Sequence, residues 1–451
     1  MDTRSQLASL GLFDARVPRY TSYPTAPHFG TGIGPARFEE WIGALPEGSQ
    51  ISLYVHVPFC RRLCWFCACR TQGTRSDAPV AAYAETLLEE IALLKRALPR
   101  GVSLSRLHLG GGTPTMLTPD LMRRLAEAIF EAAPMAPGGE FSVEIDPNEI
   151  DTPRIDALIA AGLNRASVGV QDFNPKIQRV IGREQSYEVT KAAADMIRER
   201  GVKSLNADIL FGLPHQTRER LSESVQKLLT LSPDRVALYG YAHVPWMARR
   251  QSMIPSDALP TPQERLALFE TAERLFLWDE YEAVGIDHFA RPSDPLAIAA
   301  RNGTLRRNFQ GYTDDTATAL VGLGASSISR FPQGYAQNAA STSAHTKAIR
   351  AGQFSTSRGH AFRGDDLLRA RMIEALMCDF RVDRDELVAG FGAEPARIDA
   401  IFKTVVDRFG GFVERTADGI YLPPKGRPLT RMIARAFDAY DLSKAGHSSA
   451  I

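Results

Sequence analysis

The chain has 451 residues, long enough for one large α/β domain together with something smaller. Its 53 Lys and Arg residues against 52 Asp and Glu give a net charge of +1, which argues against nucleic acid or an acidic membrane surface as a general partner. The first twenty residues lack a basic start followed by an apolar run, and nowhere do eighteen apolar residues occur consecutively, so a cytoplasmic protein without membrane insertion is expected.

Residues 1–50 carry few periodic elements and contain the segment Arg19-Tyr-Thr-Ser-Tyr-Pro-Thr25, in which proline breaks any helix. From residue 51, short β-branched runs alternate with longer helical patterns. Such repeated strand–helix units predict a parallel sheet with helices outside it, either doubly wound or a partial or full barrel. The predicted strands are 51–57, 104–109, 141–145, 166–170, 204–210 and 235–240, and the predicted helices are 79–97, 118–133, 151–161, 186–200 and 216–231.

Chemically unusual residues follow each predicted strand at its carboxyl end. A cysteine-rich loop follows the first strand and the glycine run 110–112 follows the second, where the missing side chains let a backbone approach a ligand closely. The later strands end near, or contain, Glu144, Gln171, Asp208 and Ala242. Active sites of (β/α) barrels are built at this end of the strands, whereas a doubly wound sheet concentrates them at one switch point. The distribution favours a barrel.

The cysteine-rich loop holds Cys60, Cys64, Cys67 and Cys69 within ten residues, while Cys378 stands apart in a helical apolar pattern typical of core packing. Clustered thiolates select zinc or an iron–sulfur centre. Structural zinc sites take four ligands, typically as two separated pairs, and no second pair appears downstream. Three closely spaced ligands instead leave one metal position open.

Glu144 and Asp208 lie in or at the ends of apolar strands, where an uncompensated carboxylate would cost several kcal/mol. Arg183 is a candidate internal partner for either one, and a bound ligand is the alternative. Gln171 carries an amide that can both donate and accept hydrogen bonds.

From about residue 363 the pattern changes to helices followed by 411–422, whose Asp-Gly turn predicts a hairpin. Helices with a hairpin indicate a small winged-helix-like domain, interpreted as a lid or packing domain because the chain has no basic surplus. The expected division is an N-terminal extension over 1–50 that contributes to the site, a catalytic barrel over 51–360 and a C-terminal domain over 361–451.

The spacing Cys60-x3-Cys64-x2-Cys67 resembles the signature of the radical S-adenosylmethionine (SAM) superfamily. The resemblance implies that these three cysteines hold a 4Fe–4S cluster whose fourth iron binds SAM, and it leaves Cys69 without an assigned role. It also favours SAM as the group that compensates Glu144 and Asp208.

The chain further resembles the oxygen-independent coproporphyrinogen III oxidase family along nearly its whole length. The segments that carry this resemblance include RYTSYPT at 19–25, YVHVPFC at 54–60, GGGTPT at 110–115, DILFGLP at 208–214, NFQGYT at 308–313 and GLGASSIS at 322–329. The resemblance implies two SAM molecules in one site. The positions that it assigns to SAM are Tyr54, Phe66, Gly111, Gly112, Thr113, Glu144, Gln171, Arg183, Asp208, Ala242 and Ile328.

The implied activity is that of an oxidoreductase of haem biosynthesis, which converts two propionates of coproporphyrinogen III to vinyl groups and gives protoporphyrinogen IX. A low-potential donor such as flavodoxin or ferredoxin, an unidentified electron acceptor and a monomeric state are expected. Hydrogen abstraction needs no protein base, and His56 is the one candidate catalytic side chain. Arg19, Arg306 and Arg307 border family segments and are candidate partners of the substrate carboxylates. Alternatives are a haem-binding relative, a radical SAM enzyme with another substrate, and a structural zinc protein.

Overall fold

The computed structural model describes residues 3–441 and 446–451 and shows a mostly parallel central sheet. In chain order its strands are β1 (Gln50–Val57), β2 (Ser103–Gly111), β3 (Met135–Ile145), β4 (Arg165–Gln171), β5 (Ser204–Phe211), β6 (Arg235–Gly240), β7 (Glu282–Val284), β8 (His288–Ala290), β9 (Ala319–Leu323), β10 (Ile328–Phe331), β11 (Gly334–Asn338) and β12 (Thr356–Ala361). Their order across the sheet is β12-β11-β10-β9-β1-β2-β3-β4-β5-β6-β8-β7.

The seven strands from β9 to β6 are parallel, and antiparallel strands extend the sheet on both sides. Within the described residues no ladder joins the two edge strands β12 and β7, so the barrel is partial. The six strands predicted from the sequence are confirmed within a few residues. The seventh parallel strand, β9, was not predicted as a strand. The fold class is therefore the predicted α/β class, with a partial parallel barrel.

The helices of the described chain lie between the strands and after them. They are α1 (Thr3–Ser9), α2 (Pro35–Gly43), α3 (Ala78–Ala97), α4 (Pro119–Ala132), α5 (Thr152–Ala160), α6 (Pro175–Ile181), α7 (Tyr187–Glu199), α8 (Arg218–Thr230), α9 (Pro262–Trp278), α10 (Pro295–Arg301), α11 (Thr342–Arg350), α12 (Asp366–Asp379), α13 (Arg384–Phe391), α14 (Pro395–Phe409) and α15 (Thr430–Phe437). None of them is long and apolar enough to cross a membrane.

Local sequence explains where several helices begin. The Thr118 hydroxyl accepts a hydrogen bond from the Leu121 amide, and Pro119 follows as the first residue of α4, where the missing N–H costs nothing. At α9, Thr261 and Glu264 form a reciprocal capping box. Such caps set the lengths of the strand–helix connections and so fix the strand ends.

The parallel register brings the chemically unusual residues to one edge of the sheet. His56 of β1 pairs with Gly110 of β2, and Gly169 of β4 pairs with Asp208 of β5. Because these strands all run in the same direction, the loops that follow them converge at their carboxyl ends.

Two hydrophobic cores support this arrangement. The larger one unites the central strands with their covering helices and includes Phe38, Trp41 and Ile42 of α2. The second packs side chains from 7–23 against the helices that follow residue 366. The N-terminal segment therefore links the C-terminal region to the barrel. In that region Glu414–Arg415 pairs antiparallel with Gly419–Tyr421, which confirms the predicted hairpin.

Candidate active site

The cysteine loop leaves β1 and is closed by a short parallel ladder. Phe59–Cys60 pairs with Gln72–Gly73, and the Thr74 amide donates to the Cys60 carbonyl at 3.0 Å. All four cysteines of the loop are free thiols. Its closure holds them together at the carboxyl edge of the sheet.

The thiols of this loop influence one another and have different surroundings. Burial raises the pKa of Cys60 to about 11, and the nearby Cys67 and Cys64 sulfurs also raise it. Burial likewise raises the pKa of Cys64, whereas Arg183, whose Nη1 lies 3.6 Å from the sulfur, lowers it. A side-chain hydrogen bond from Cys69 lowers the pKa of Cys67, which favours its thiolate. A bound metal would replace these protons, since thiolates are the ligating form.

The donor set fits an iron–sulfur cluster. Three mutually close sulfurs on one loop are soft ligands, and the Arg183 guanidinium beside Cys64 favours negative charge there. Across the described chain, no group of three His, Cys, Asp or Glu side chains converges on a position for a single metal ion. Cys60, Cys64 and Cys67, the three cysteines of the predicted signature, remain the candidate ligands.

The glycine run after β2 packs against the cysteine loop itself. A Cβ on Gly111, whose φ is +113°, would lie 2.5 Å from the His56 ring, and a Cβ on Gly112 would lie 2.5 Å from the Phe59 carbonyl oxygen. Both positions therefore require glycine, because the His56 ring of β1 and the backbone of the cysteine loop approach so closely. Thr113, which follows, is buried and hydrogen-bonds the Cys60 thiol.

Glu144 projects from β3 towards the glycine run. Its Oε2 accepts from the Gly111 amide at 3.0 Å, and its Oε1 lies 3.4 Å from His108 Nε2. Burial opposes ionisation, but His108 and the Gly111 amide outweigh it and lower the Glu144 pKa. The side chain is 42% exposed although it lies deep in the protein, as expected for a group that lines a cavity. Glu144 is thus an ionised acceptor with oxygen surface left for a ligand.

Asp208 lies on β5 and has fewer hydrogen-bond partners than Glu144. Its Oδ1 accepts from Asn206 Nδ2 at 2.8 Å, and burial raises its pKa to about 6. The sequence made Arg183 a candidate partner of Asp208 or Glu144, but in the structure it bonds neither carboxylate. It donates instead to the Gly169 carbonyl at 2.9 Å and to Asp146 at 3.4 Å, as well as to Cys64.

Arg183 and Gln171 meet at the end of β4. Burial opposes the charge on Arg183, but Asp146 and the Cys64 sulfur raise its pKa. Its Nε is buried and has no hydrogen-bond acceptor among the described residues. Gln171 has φ of +69°, an unusual value for a residue with a side chain. The amide of Gln171 lies against Gly169, near the same guanidinium.

Phe66 and Ala242 are joined through Gln251. The Gln251 Nε2 donates to the Phe66 carbonyl at 2.7 Å and to the Ala242 carbonyl at 3.0 Å, while its Oε1 accepts from the Val244 amide at 2.6 Å. The Phe66 ring packs against an apolar cluster that includes Ile177. Ile328 begins β10, far from these residues in sequence. The sequence did not single out Gln251, which is fully buried and lies outside every motif.

His56 is fixed at both ring nitrogens. Its Nε2 donates to the Arg70 carbonyl at 3.1 Å, so Nδ1 accepts from the Tyr54 hydroxyl at 2.8 Å. Burial lowers the pKa of His56, which keeps the ring neutral. Tyr54 in turn stacks on His108 with 5.7 Å between the ring centroids. These contacts give His56 a role in holding the far end of the cysteine loop.

Of the three candidate substrate arginines, two influence the same carboxylate, Asp287. Arg307 Nη1 lies 4.0 Å from Asp287 Oδ1, whereas Arg19 Nη2 donates to the Gly240 carbonyl at 2.7 Å. Burial raises the pKa of Asp287, but His288 and, to a smaller extent, Arg307 and Arg19 outweigh it and lower that pKa. The Arg307 guanidinium lies 4.5 Å from the Tyr312 ring centroid, and its Nε and Nη1 have no hydrogen-bond acceptor among the described residues. Arg306 instead approaches Glu374, so the structure does not bring it to this place.

Two other groups were missed by sequence reasoning. His108 shares the face of Gly110 by the two-residue period of β2, a signal that could have found it. The other group is the pair Asp287 and His288, at the turn between β7 and β8. His288 Nδ1 donates to Asp287 at 2.7 Å, and its Nε2 lies 3.4 Å from the hydroxyl of Tyr239, a residue distant in sequence. No local pattern predicts that contact.

Comparisons with family models, curated proteins and solved structures all indicate the same family. A family model described as the radical SAM superfamily matches residues 54–228. The chain is 66% identical over 451 residues to the oxygen-independent coproporphyrinogen III oxidase of Paracoccus denitrificans, covering 100% of both chains. It is 60% identical over 439 residues to that of Cereibacter sphaeroides, covering 97% of this chain and 98% of the relative. A solved structure described as coproporphyrinogen III oxidase (HemN) from Escherichia coli, a radical SAM enzyme, matches with a TM-score of 0.89 at 36% identity and covers 95% of this chain and 100% of that one.

Proposed function

Because the chain belongs to the family of oxygen-independent coproporphyrinogen III oxidases, within the radical SAM superfamily, we propose a role in that reaction for each part of its site. The enzyme is an oxidoreductase of haem biosynthesis. It decarboxylates two propionates of coproporphyrinogen III to vinyl groups without oxygen and yields protoporphyrinogen IX. The observation that carries this function is the 66% identity to a relative of that name over the full length of both chains.

The cofactors are a 4Fe–4S cluster and SAM. Cys60, Cys64 and Cys67 would hold the cluster, while Cys69, whose amide donates to the Cys67 sulfur at 3.4 Å, would support a ligand without being one. When bound, the cluster supplies the electron that cleaves SAM to the 5′-deoxyadenosyl radical, which takes a hydrogen atom from the propionate β-carbon. A second SAM molecule in the same site is part of the proposal.

The residues assigned to SAM would act by binding and orientation. Glu144, ionised and partly accessible, would accept from hydroxyl or ammonium groups, and Gln171 would donate and accept at the end of β4. Arg183 would offer its unsatisfied Nε to a carboxylate. Asp208, whose pKa burial raises to about 6, would be held in its ionised form by a nearby cationic or hydroxyl group. The lining of the SAM site would be completed by Tyr54, Phe66, Gly111, Gly112, Thr113, Ala242 and Ile328.

Arg19 and Arg307 would bind a substrate carboxylate. Both arginines influence the carboxylate of Asp287, and Arg307 retains two unsatisfied nitrogens in a buried position. A buried guanidinium without an acceptor is costly, and a carboxylate in bidentate geometry removes that cost. Arg306 is not part of this proposal, since its side chain is more exposed and approaches Glu374 instead of Asp287.

No side chain needs to act as a base in the abstraction, so the protein would contribute orientation and exclusion of water. His56, neutral and occupied at both nitrogens, would hold the cysteine loop in place. We further propose a monomer in the cytoplasm, a flavodoxin- or ferredoxin-type donor and a separate electron acceptor. The division into 1–50, 51–360 and 361–451 belongs to the same proposal.

The test is anaerobic incubation of the iron-reconstituted protein with SAM, a strong reductant, an electron acceptor and coproporphyrinogen III. Products are followed by mass spectrometry. Protoporphyrinogen-level product together with 5′-deoxyadenosine is the expected result. Formation of 5′-deoxyadenosine without decarboxylation would contradict the assigned substrate, and stoichiometric haem binding would then favour the haem-binding alternative.

A further inference from the structure

The loop that follows Ala242 exposes an unusual amount of apolar surface. Among the described residues nine large hydrophobic side chains are exposed, and three of them, Trp246, Met247 and Met253, fall within residues 246–253. Their exposed fractions are 52%, 63% and 58%. A single exposed apolar side chain needs no explanation, but three large ones within eight residues of one loop indicate an interaction surface.

The same loop is positively charged. Residues 243–253 contain Arg249 and Arg250 and no acidic residue. Arg249 is exposed and has no ion-pair partner within the described part of the chain, and the Arg16 guanidinium lies 5.4 Å from the Trp246 ring centroid. An apolar centre with a cationic rim suits an acidic protein partner, because complementary charge guides association.

The inner side of this loop is bonded to the cysteine loop. Gln251 donates to the Phe66 carbonyl at 2.7 Å, and Arg250 donates to the Thr71 hydroxyl at 3.0 Å and to the Thr71 carbonyl at 3.1 Å. Phe66 and Thr71 stand on either side of Cys67 in sequence. A protein seated on the exposed side of this loop would therefore contact residues that are hydrogen-bonded to the segment carrying Cys67.

We propose that Trp246, Met247, Arg249 and Met253 form the docking surface for the reductant, a small acidic one-electron carrier protein with a flavin or iron–sulfur centre. This inference rests on the proposed function, which consumes one electron for each SAM cleaved. In the transfer, the carrier is oxidised by one electron and the cluster held by the loop cysteines is reduced by one. Electron-transfer complexes are typically small and transient, so a few exposed side chains suffice.

A second place also adjoins the cysteine loop. A groove of about 700 Å³ between α3 and α11 is lined by Phe59 and Gln72 and by the cations Lys347 and Arg350. Its lining contains no acidic residue, but its two aromatic side chains, Phe59 and Tyr83, are buried. The loop after Ala242 is the stronger candidate because it combines large exposed side chains with direct hydrogen bonds to residues on both sides of Cys67.

The test compares binding and electron delivery in the full-length reconstituted enzyme, with flavodoxin as the probe. The variants are Trp246→Ala and Arg249→Glu. The matched controls are Trp278→Ala, at a tryptophan that is 89% exposed on α9, and Lys203→Glu, at an exposed lysine. We expect each variant to weaken flavodoxin binding about tenfold at low salt and to slow flavodoxin-driven SAM cleavage, while the controls bind like the unaltered enzyme. SAM cleavage driven by dithionite should be unchanged in all of them.

The outcomes separate the docking surface from the reaction. If dithionite drives no SAM cleavage in the unaltered enzyme, the proposed function fails. If dithionite works but Trp246→Ala and Arg249→Glu bind flavodoxin normally, the docking surface is wrong. Loss of binding in Lys347→Glu alone would overturn it in favour of the groove. Anionic vesicles that sediment the unaltered protein but not Trp246→Ala, with flavodoxin binding intact, would overturn it in favour of a membrane contact.

Discussion

Replacing Gln251 by leucine should loosen the cysteine loop without removing any residue assigned to SAM or the cluster. Leucine keeps most of the side-chain volume but leaves the Phe66 and Ala242 carbonyls and the Val244 amide without their partner. Each such loss in a buried place costs about 1 kcal/mol, so the three together cost about 3 kcal/mol. Because Phe66 lies between Cys64 and Cys67, part of this cost should appear as weaker SAM binding.

We expect the dissociation constant of SAM to rise about tenfold, which corresponds to about 1.4 kcal/mol, and the remaining cost to appear as lower stability. SAM binding is measured by anaerobic calorimetry and stability by urea denaturation. Gln216→Leu is the matched control, since the Gln216 side chain is also buried and bonds Gly212 and Asp172 instead. That control should lose stability and keep its SAM affinity. Unchanged SAM affinity in Gln251→Leu at normal iron content would refute the reasoning.

Four further predictions follow from the site. Cys60→Ala, Cys64→Ala and Cys67→Ala should each lose the cluster, whereas Cys69→Ala should retain it, as measured by iron and sulfide analysis after anaerobic purification; a cluster in any of the first three would overturn the ligand assignment. Gly111→Ala places a Cβ 2.5 Å from the His56 ring at a φ of +113° and should destabilise the protein by about 2 kcal/mol, with Gly138→Ala, which has a φ of +76° but open space around it, as the control for backbone strain alone. Burial raises the pKa of Asp208 to about 6, so its ionisation costs stability progressively as the pH rises from the ordinary value of 3.8 to about 6. Asp208→Asn should therefore stabilise the SAM-free protein by at most about 3 kcal/mol above pH 6 and leave it unchanged below pH 4, and thermal melts that show the same difference at both ends would contradict this. Arg307→Gln should weaken coproporphyrinogen III binding and leave SAM binding intact, whereas Arg306→Gln should alter neither; equal substrate affinity in both variants would exclude Arg307 from substrate recognition.

Much of the architecture could be predicted because it is encoded locally. The strands of the parallel sheet have nearly continuous apolar runs, and the helices between them begin at proline and capping residues that act within one turn. The signature of Cys60, Cys64 and Cys67 lies within eight residues, so its chemistry can also be predicted without knowledge of the fold. The family resemblance drew on ordered segments over the whole chain.

The partners of the charged groups could not be predicted in this way. The sequence left Arg183 as a partner for Glu144 or Asp208, yet the guanidinium reaches Asp146, Gly169 and Cys64, and Glu144 is satisfied by His108 and a glycine amide. Each of these contacts joins residues at least fourteen positions apart. Their pairing depends on strand register and loop closure, which act over the whole sheet.

The adjacent residues Arg306 and Arg307 show what the sequence alone does not predict, namely which acid each side chain approaches. Alternation along a strand implies that neighbouring side chains point to opposite faces, but only the packed structure determines which face meets Asp287 and which meets Glu374. The same holds for Gln251, whose importance comes from two carbonyls, one of them 185 positions away. The sequence by itself determined the strands, the cysteine loop and the family, because short-range periodicity and spacing encode them. Tertiary structure alone decided which buried polar groups satisfy one another, because that depends on the folding of distant segments into a single site.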